Sequence, residues 1–175
     1  APGPYTVRVL RASTPAEPVL WAADSITVGS ETDLTDLTIR LQPGAPIGGR
    51  LIVEGSGQQL PSAALRAIGI RPTPLPGSAS SLMGPAGWIV HPDDNGRYMT
   101  GQMVPGPYMA VVTALPPGWT VKSVTVGGQN AIDKPFELTA TGITDVVVTI
   151  TGRVSTLTGT ARDANGQPEP MATVA

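Results

Sequence analysis

The chain has no cysteine and a single histidine, His91, in 175 residues. Without thiols it has no disulfide staples, no thiolate zinc site and no cysteine nucleophile. With one imidazole, a Ser–His or multi-histidine site would need a residue from another chain. Charge is scarce as well: Asp, Glu, Lys and Arg make up 14% of residues, and the formal net charge is −2. Lys and Arg this few and this scattered leave no electrostatic footprint for nucleic acid or an anionic membrane surface. No apolar run reaches the roughly 18 residues needed to cross a bilayer. No signal peptide and no initiator methionine are visible, so the sequence reads as processed, truncated or excerpted. Long intervals free of glycine and proline are missing too. The longest runs from Ser30 to Gln42, and its end alternates as Leu37, Ile39 and Leu41 against Asp36, Thr38 and Arg40. That period of two is a strand pattern, so little or no helix is expected.

What is present is β-forming. Apolar residues make up 41%, rich in Val, Ile and Leu, and 21 glycines and 19 prolines punctuate them. This much apolar residue with this little net charge argues against disorder. The chain also repeats itself. Pro2-Gly3-Pro4-Tyr5 matches Pro105-Gly106-Pro107-Tyr108 at an offset of 103. Trp21 and the run Ser25-Ile26-Thr27-Val28-Gly29 match Trp119 and Ser123-Val124-Thr125-Val126-Gly127 at an offset of 98. Ile47-Gly48-Gly49-Arg50-Leu51 resembles Leu157-Thr158-Gly159-Thr160-Ala161 at an offset of 110. Three matches in the same order divide the chain into the back part of one unit (1–46), a complete unit (47–150) and the front part of a third (151–175). Joined head to tail, the two partial units still lack the equivalents of residues 66 to 103. The expectation is therefore an excerpt of a longer tandem array.

Within the central unit, strands are predicted near 47–54, 64–70, 87–91, 97–101, 107–114, 119–126 and 144–150, with a short one near 136–139. Asp93 to Gly96 is predicted to turn a hairpin, with Asn95-Gly96 supplying positive φ angles. Pro116 to Gly118 and Gly127-Gly128 punctuate the later strands. Seven or eight short strands in about 105 residues predict an all-β fold of tandem Ig-like or transthyretin-like β-sandwiches with antiparallel strands.

Three phrases carry a family resemblance. They are Asp93-Asp94-Asn95-Gly96-Arg97-Tyr98, then Pro105-Gly106-Pro107-Tyr108, then Gly159-Thr160-Ala161-Arg162-Asp163-Ala164-Asn165-Gly166-Gln167-Pro168. They resemble the carboxypeptidase regulatory-like domains, transthyretin-like sandwiches that overlap the carbohydrate-binding-like fold. The likeness runs through most of residues 47–175 and more faintly through 1–42. It departs at Ile70 to Gly87, which reads as a long loop, and at Gly48 to Gln59, where the expected acidic turn is absent. The resemblance implies a modular, exported setting and no catalysis, since such domains accompany peptidases and transporters without carrying their active sites.

The chemistry-bearing residues are few. Calcium loops of the D-x-[DN]-x-[DN]-G type need Asp at the first position and Glu at the twelfth. The stretch around Asp93 offers His91 and Gln102 there, and the stretch around Asp163 offers Ala161 and Ala172. Both read as ordinary turns. No phosphate loop, nucleophile elbow or dinucleotide fingerprint occurs. No metal or cofactor is expected. Asp93-Asp94 sit in a turn and point different ways, a poor acid–base pair. Of the seven aromatic residues, Trp88 and Trp119 are the candidate carbohydrate contacts, each next to a loop from which an indole can stack on a sugar ring. Against that, Trp21 recurs at the position of Trp119, as a structural anchor would, and both tryptophans also suit the ends of a core. Twenty threonines and few charges give a surface that repels neighbours weakly.

Two functions follow from these features. The first is a non-enzymatic structural module of an extracellular or cell-envelope repeat protein, a surface, stalk or filament component whose partners are copies of itself or neighbouring units. The alternative is a carbohydrate-binding or accessory module attached to an enzyme or transporter, with polysaccharide as partner. Neither involves nucleic acid or membrane insertion.

Overall fold

The computed structural model describes residues 1–11, 18–30, 34–55, 60–83, 89–153 and 159–169. Apolar side chains alternating with threonine and charge between Gly and Pro breaks produce strands throughout. They are β1 (Gly3–Arg11), β2 (Leu20–Val28), β3 (Gln42–Pro43), β4 (Ile47–Glu54), β5 (Gly69–Pro74) and β6 (Arg97–Met99). The later ones are β7 (Gly106–Thr113), β8 (Thr120–Val126), β9 (Gln129–Asn130), β10 (Phe136–Leu138) and β11 (Ile143–Thr151). A six-residue helix, α1 (Ser62–Ala67), and a 3-10 turn at Ala79–Met83 complete the described elements.

From β4 to β11 the strands form two facing sheets, a β-sandwich-like, all-β arrangement. One sheet has the order β6-β4-β11-β8-β9 and the other β10-β7-β5. Period-two alternation sends Val146, Val148 and Ile150 of β11 inward, where they join Ile47, Leu51, Val124, Tyr98 and Met103. Ile70, Tyr108, Phe136 and Leu138 of the second sheet close the same cluster. Tyr108 and Phe136 are direct cross-strand partners, and their rings stack with centroids 6.4 Å apart. Each such buried side chain stabilises the fold by about 1.5–3 kcal/mol relative to exposure. The remaining strands form a separate sheet, β1-β2-β3, dominated by the nine-residue antiparallel β1–β2 pair.

The antiparallel expectation fails at the centre of the larger sheet. β4 and β11 pair in parallel, Val146 opposite Gly49 through Thr151 opposite Glu54. The chain crosses to the other sheet between them, so the first and last strands of the sandwich meet running the same way.

Local sequence accounts for the other departures. Residues 62–67 form helix where a strand was expected near 64–70, because the Ala-rich SAALRA favours helix, and the strand starts only at Gly69. Ile70 to Pro74, expected as loop, is the end of β5. The backbone of Ile70 faces Val90 on the side away from β7, with both of its hydrogen bonds made there at 2.9 and 3.0 Å. Pro72 and Pro74 share that phase, so their missing N–H groups fall on the outer side of an edge strand, where the ladder does not need them. The turn at Asp93–Gly96 forms, but Gly96 alone carries positive φ, +73°. Val90 then pairs with Ile70 and not with β6, so the expected hairpin is split between the two sheets. The expected strand near 87–91 otherwise runs into residues 84–88, outside the described residues.

Candidate interaction surface

The repeat read from sequence has a stereochemical counterpart. The Tyr108 hydroxyl donates to the Val104 carbonyl at 2.7 Å, and the Tyr5 hydroxyl donates to the Ala1 carbonyl, each four residues back. Gly3 and Gly106 carry φ angles of +149° and +142°. The Pro-Gly-Pro-Tyr phrase therefore builds one local device twice, a tyrosine tied to the backbone that precedes its strand. The Asp turns repeat as well. Asp93 Oδ1 accepts the N–H groups of Asn95 and Arg97 at 2.9 and 2.7 Å, and Asp163 Oδ1 accepts those of Asn165 and Gln167 at 2.9 and 2.8 Å. Both carboxylates serve as turn acceptors, as Asx chemistry favours.

Surroundings differ between the copies. Tyr108 is fully buried, and burial pushes its hydroxyl up to about 12, with the Ser80 hydroxyl pulling part-way back. Tyr98, whose hydroxyl donates to the Val146 carbonyl at 3.0 Å, is pushed higher still by burial. Tyr5 lies on the surface.

Of the two tryptophans proposed for sugar contact, Trp88 lies outside the described residues. Trp119 is half-buried against the core, its backbone N–H donating to the Pro116 carbonyl at 3.1 Å. Its indole lies over Gly152, where an added Cβ would sit 3.5 Å from Cζ2, so the ring covers the end of β11. Trp21, its repeat partner, is also half-buried, and its Nε1 is buried without a hydrogen-bond partner among the described residues. Among the described residues, two shallow clefts of about 250 Å³ are lined on the surface. One lies over Gly48, Arg50, Arg97 and Met99 at the β4–β6 edge, the other over Gln129, Asn130 and Phe136, and neither is lined by tryptophan.

Among the described residues, titratable groups meet in pairs and not in a shared cluster. His91 is exposed, with Nδ1 3.1 Å from the Ile68 carbonyl oxygen. Asp94 makes two hydrogen bonds with Arg66, at 2.8 and 2.6 Å, and these hold its carboxyl below the usual range. Among the described residues, no group of three or more His, Asp or Glu is placed to hold a metal ion. No described helix is long and apolar enough to cross a membrane.

Sequence reasoning missed a fourth repeat match that the structure makes legible. Thr35-Asp36-Leu37, Ile39 and Leu41 stand 109 residues before Thr144-Asp145-Val146, Val148 and Ile150 of β11. In β11 the three apolar residues are at most 1% exposed, whereas Leu37 and Leu41 are 48% and 40% exposed and residues 34–41 form no strand. Only the end of the match is paired. β3 holds Gln42 opposite Trp21, within one residue of the register that Thr151 keeps with Thr120 in the sandwich. Leu37, Ile39 and Leu41 alternate as strand residues do, yet they lie outside any strand here. The sandwich manages its own edges differently: β6 and β9 are three and two residues long, and β5 carries prolines.

No protein-family model matches the chain, and a search of curated proteins finds no match.

Proposed function

We propose that this chain is a non-catalytic structural segment of an exported repeat protein. It would be built from tandem transthyretin-like sandwiches of the carboxypeptidase regulatory-like kind and act through sandwich packing and strand-edge contacts at a cell surface, stalk or extracellular filament. One observation carries this reading. Sequence matches within residues 2–42, together with the Tyr5 bond that copies that of Tyr108, relate this part to 105–151. Yet Tyr5, Leu37 and Leu41 are exposed where Tyr108, Val146 and Ile150 are buried, and β1 pairs with β2 where β7 and β8 lie in different sheets. Core-type residues displayed on the surface belong to an element meant to be covered by another unit. The low charge supports the same reading, since little repels a neighbour.

A carbohydrate-binding accessory module is the second reading, supported by Trp119 lying beside a Pro-Pro-Gly turn and remaining half open. Titrating the chain with soluble neutral and acidic polysaccharides, with tryptophan emission as readout, separates the two. The structural reading expects no saturable change. A saturable change that disappears in Trp119→Ala would replace it with the carbohydrate reading.

A further inference from the structure

We propose that the arginine-lined cleft at the β4–β6 edge binds the carboxylate of a uronic-acid residue in an acidic polysaccharide. The site lies wholly within the central unit and stands independently of the structural reading above. Arg50 and Arg97 are direct cross-strand partners. The Leu51 N–H donates to the Gly96 carbonyl at 2.7 Å, and the Thr100 N–H donates to the Ile47 carbonyl at 2.8 Å. These bonds bracket the arginines and make theirs a non-hydrogen-bonded pair. Such pairs bring their Cα atoms to about 4.5 Å with both side chains on one face. Like charges directly opposite each other destabilise a sheet. Here both residues are exposed, in a chain with only 11 Lys and Arg.

Nothing in the described fold neutralises them. Among the described residues, neither arginine makes an ion pair or a side-chain hydrogen bond, whereas Lys122 on the same sheet is paired with Glu54 at 2.5 Å. Asp93, beside Arg97, has its Oδ1 taken by the turn N–H groups. Two adjacent guanidinium forks without an internal acceptor offer several N–H donors to one planar carboxylate, which relieves their repulsion as it binds.

Local sequence shapes the cleft beside them. Gly48 lies on the arginine face of β4, and a Cβ there would sit 3.3 Å from the Met99 Cε, so a side chain would fill the floor. From Ile143 to Val146, β11 advances three residues while β4 advances two, from Ile47 to Gly49. This bulge re-aims the strand at Thr144, which is exposed and lines the cleft. The lining thus offers two cations, a hydroxyl and an apolar methyl around about 250 Å³. A sugar acid has a carboxylate, ring hydroxyls and a C–H face, one for each.

Backbone accounting weighs against a peptide. The Arg97 N–H donates to Asp93 Oδ1 at 2.7 Å, and the Arg97 carbonyl accepts the Asp93 N–H at 2.8 Å. Those are the outward-facing groups of Arg97, so on this three-residue edge strand at most Met99 is left to pair with an added strand. Two cations in a chain of net charge −2 also fall short of what a nucleic-acid backbone requires.

Calorimetry on the full chain at low salt tests the site, with oligogalacturonate and oligomannuronate as probes and their methyl esters as uncharged controls. At least one acidic oligomer should bind saturably, its methyl ester should not, and added salt should weaken the binding. Arg50→Gln and Arg97→Gln should each cost at least tenfold in affinity. Arg97→Glu should abolish binding while leaving the thermal midpoint unchanged or raised, because it sets opposite charges across the pair. The proposal is overturned if neither acidic oligomer binds, if a methyl ester binds as tightly, or if Arg97→Glu keeps the affinity. Sodium acetate and sodium sulfate probe the bare ion. If either matches the oligomer at equal concentration of charged groups, the cleft holds an adventitious ion only and the polysaccharide assignment falls. Trp119 lies over Gly152, past the other end of β11 and roughly 25 Å along the strand from Thr144. A change in its emission therefore reports the loop contact considered above, whereas heat lost in Arg97→Glu reports this cleft.

Discussion

Tyr108 shows what a single hydroxyl contributes to this fold. It is buried, stacked on Phe136 and bonded to the Val104 carbonyl at 2.7 Å. Its phenol holds its proton up to about 12, whereas an unfolded tyrosine releases it near 10. A folded value above the unfolded one means that the folded state retains a proton the unfolded state has lost. The stabilisation is therefore complete below pH 10 and lost as pH rises from about 10 toward 12, at about 1.4 kcal/mol per pH unit for each such tyrosine. Tyr98 adds to the loss in the same direction. Urea midpoints measured from pH 8 to pH 12 should fall above pH 10. Tyr108→Phe should lose about 1–2 kcal/mol at pH 8 and then fall less steeply. A Tyr108→Phe profile parallel to the parent's would show that this hydroxyl does not set the alkaline limit.

At the scale of elements, the β1–β2 hairpin is held to the sandwich by identifiable polar contacts. Arg8 donates to the carbonyls of Gly77 and Ser78 at 2.7 and 3.3 Å, and the Gly44 N–H donates to the Val19 carbonyl at 3.0 Å. Arg8→Ala should leave the thermal midpoint of the sandwich within about 2 °C, since exposed polar contacts contribute little, while proteolysis of residues 3–28 speeds up several-fold. Unchanged cleavage would mean that Arg8 does not anchor the hairpin. The elements also show how far the sequence could be read. β4, β7, β8 and β11 were legible because alternation and punctuation agree there. α1 was not, because the period-two pair Ile68 and Ile70 was extended back over Leu65, where the alanines of SAALRA favour helix. β5 was hidden by Pro72 and Pro74, which local rules assign to loops and which an edge strand accepts on its outer side. The parallel β4–β11 pair was out of reach, since no local pattern specifies which distant strands become neighbours. Of the interaction surface, the tyrosine repeat was legible, but the β11 likeness of residues 35–41 became recognisable only once the burial of Val146, Val148 and Ile150 was known.

For the molecule as a whole, the distribution of burial predicts two levels of stability in one chain. The core cluster draws its residues from Ala45 to Ile150, and nothing before Ala45 belongs to it. Among the described residues up to position 44, only Val19, Ala22 and Gly44 are buried. Segments with few buried apolar contacts open locally at low free energy, whereas central strands open only with the whole domain. Hydrogen exchange on the dilute chain should therefore find the amides of β8, β11 and the inner half of β7 exchanging at the global limit. Those of β1 and β2 should exchange several orders of magnitude faster despite their nine-residue ladder. Protection of β1 and β2 equal to that of β11 would mean that the β1–β2 pair opens only together with the sandwich.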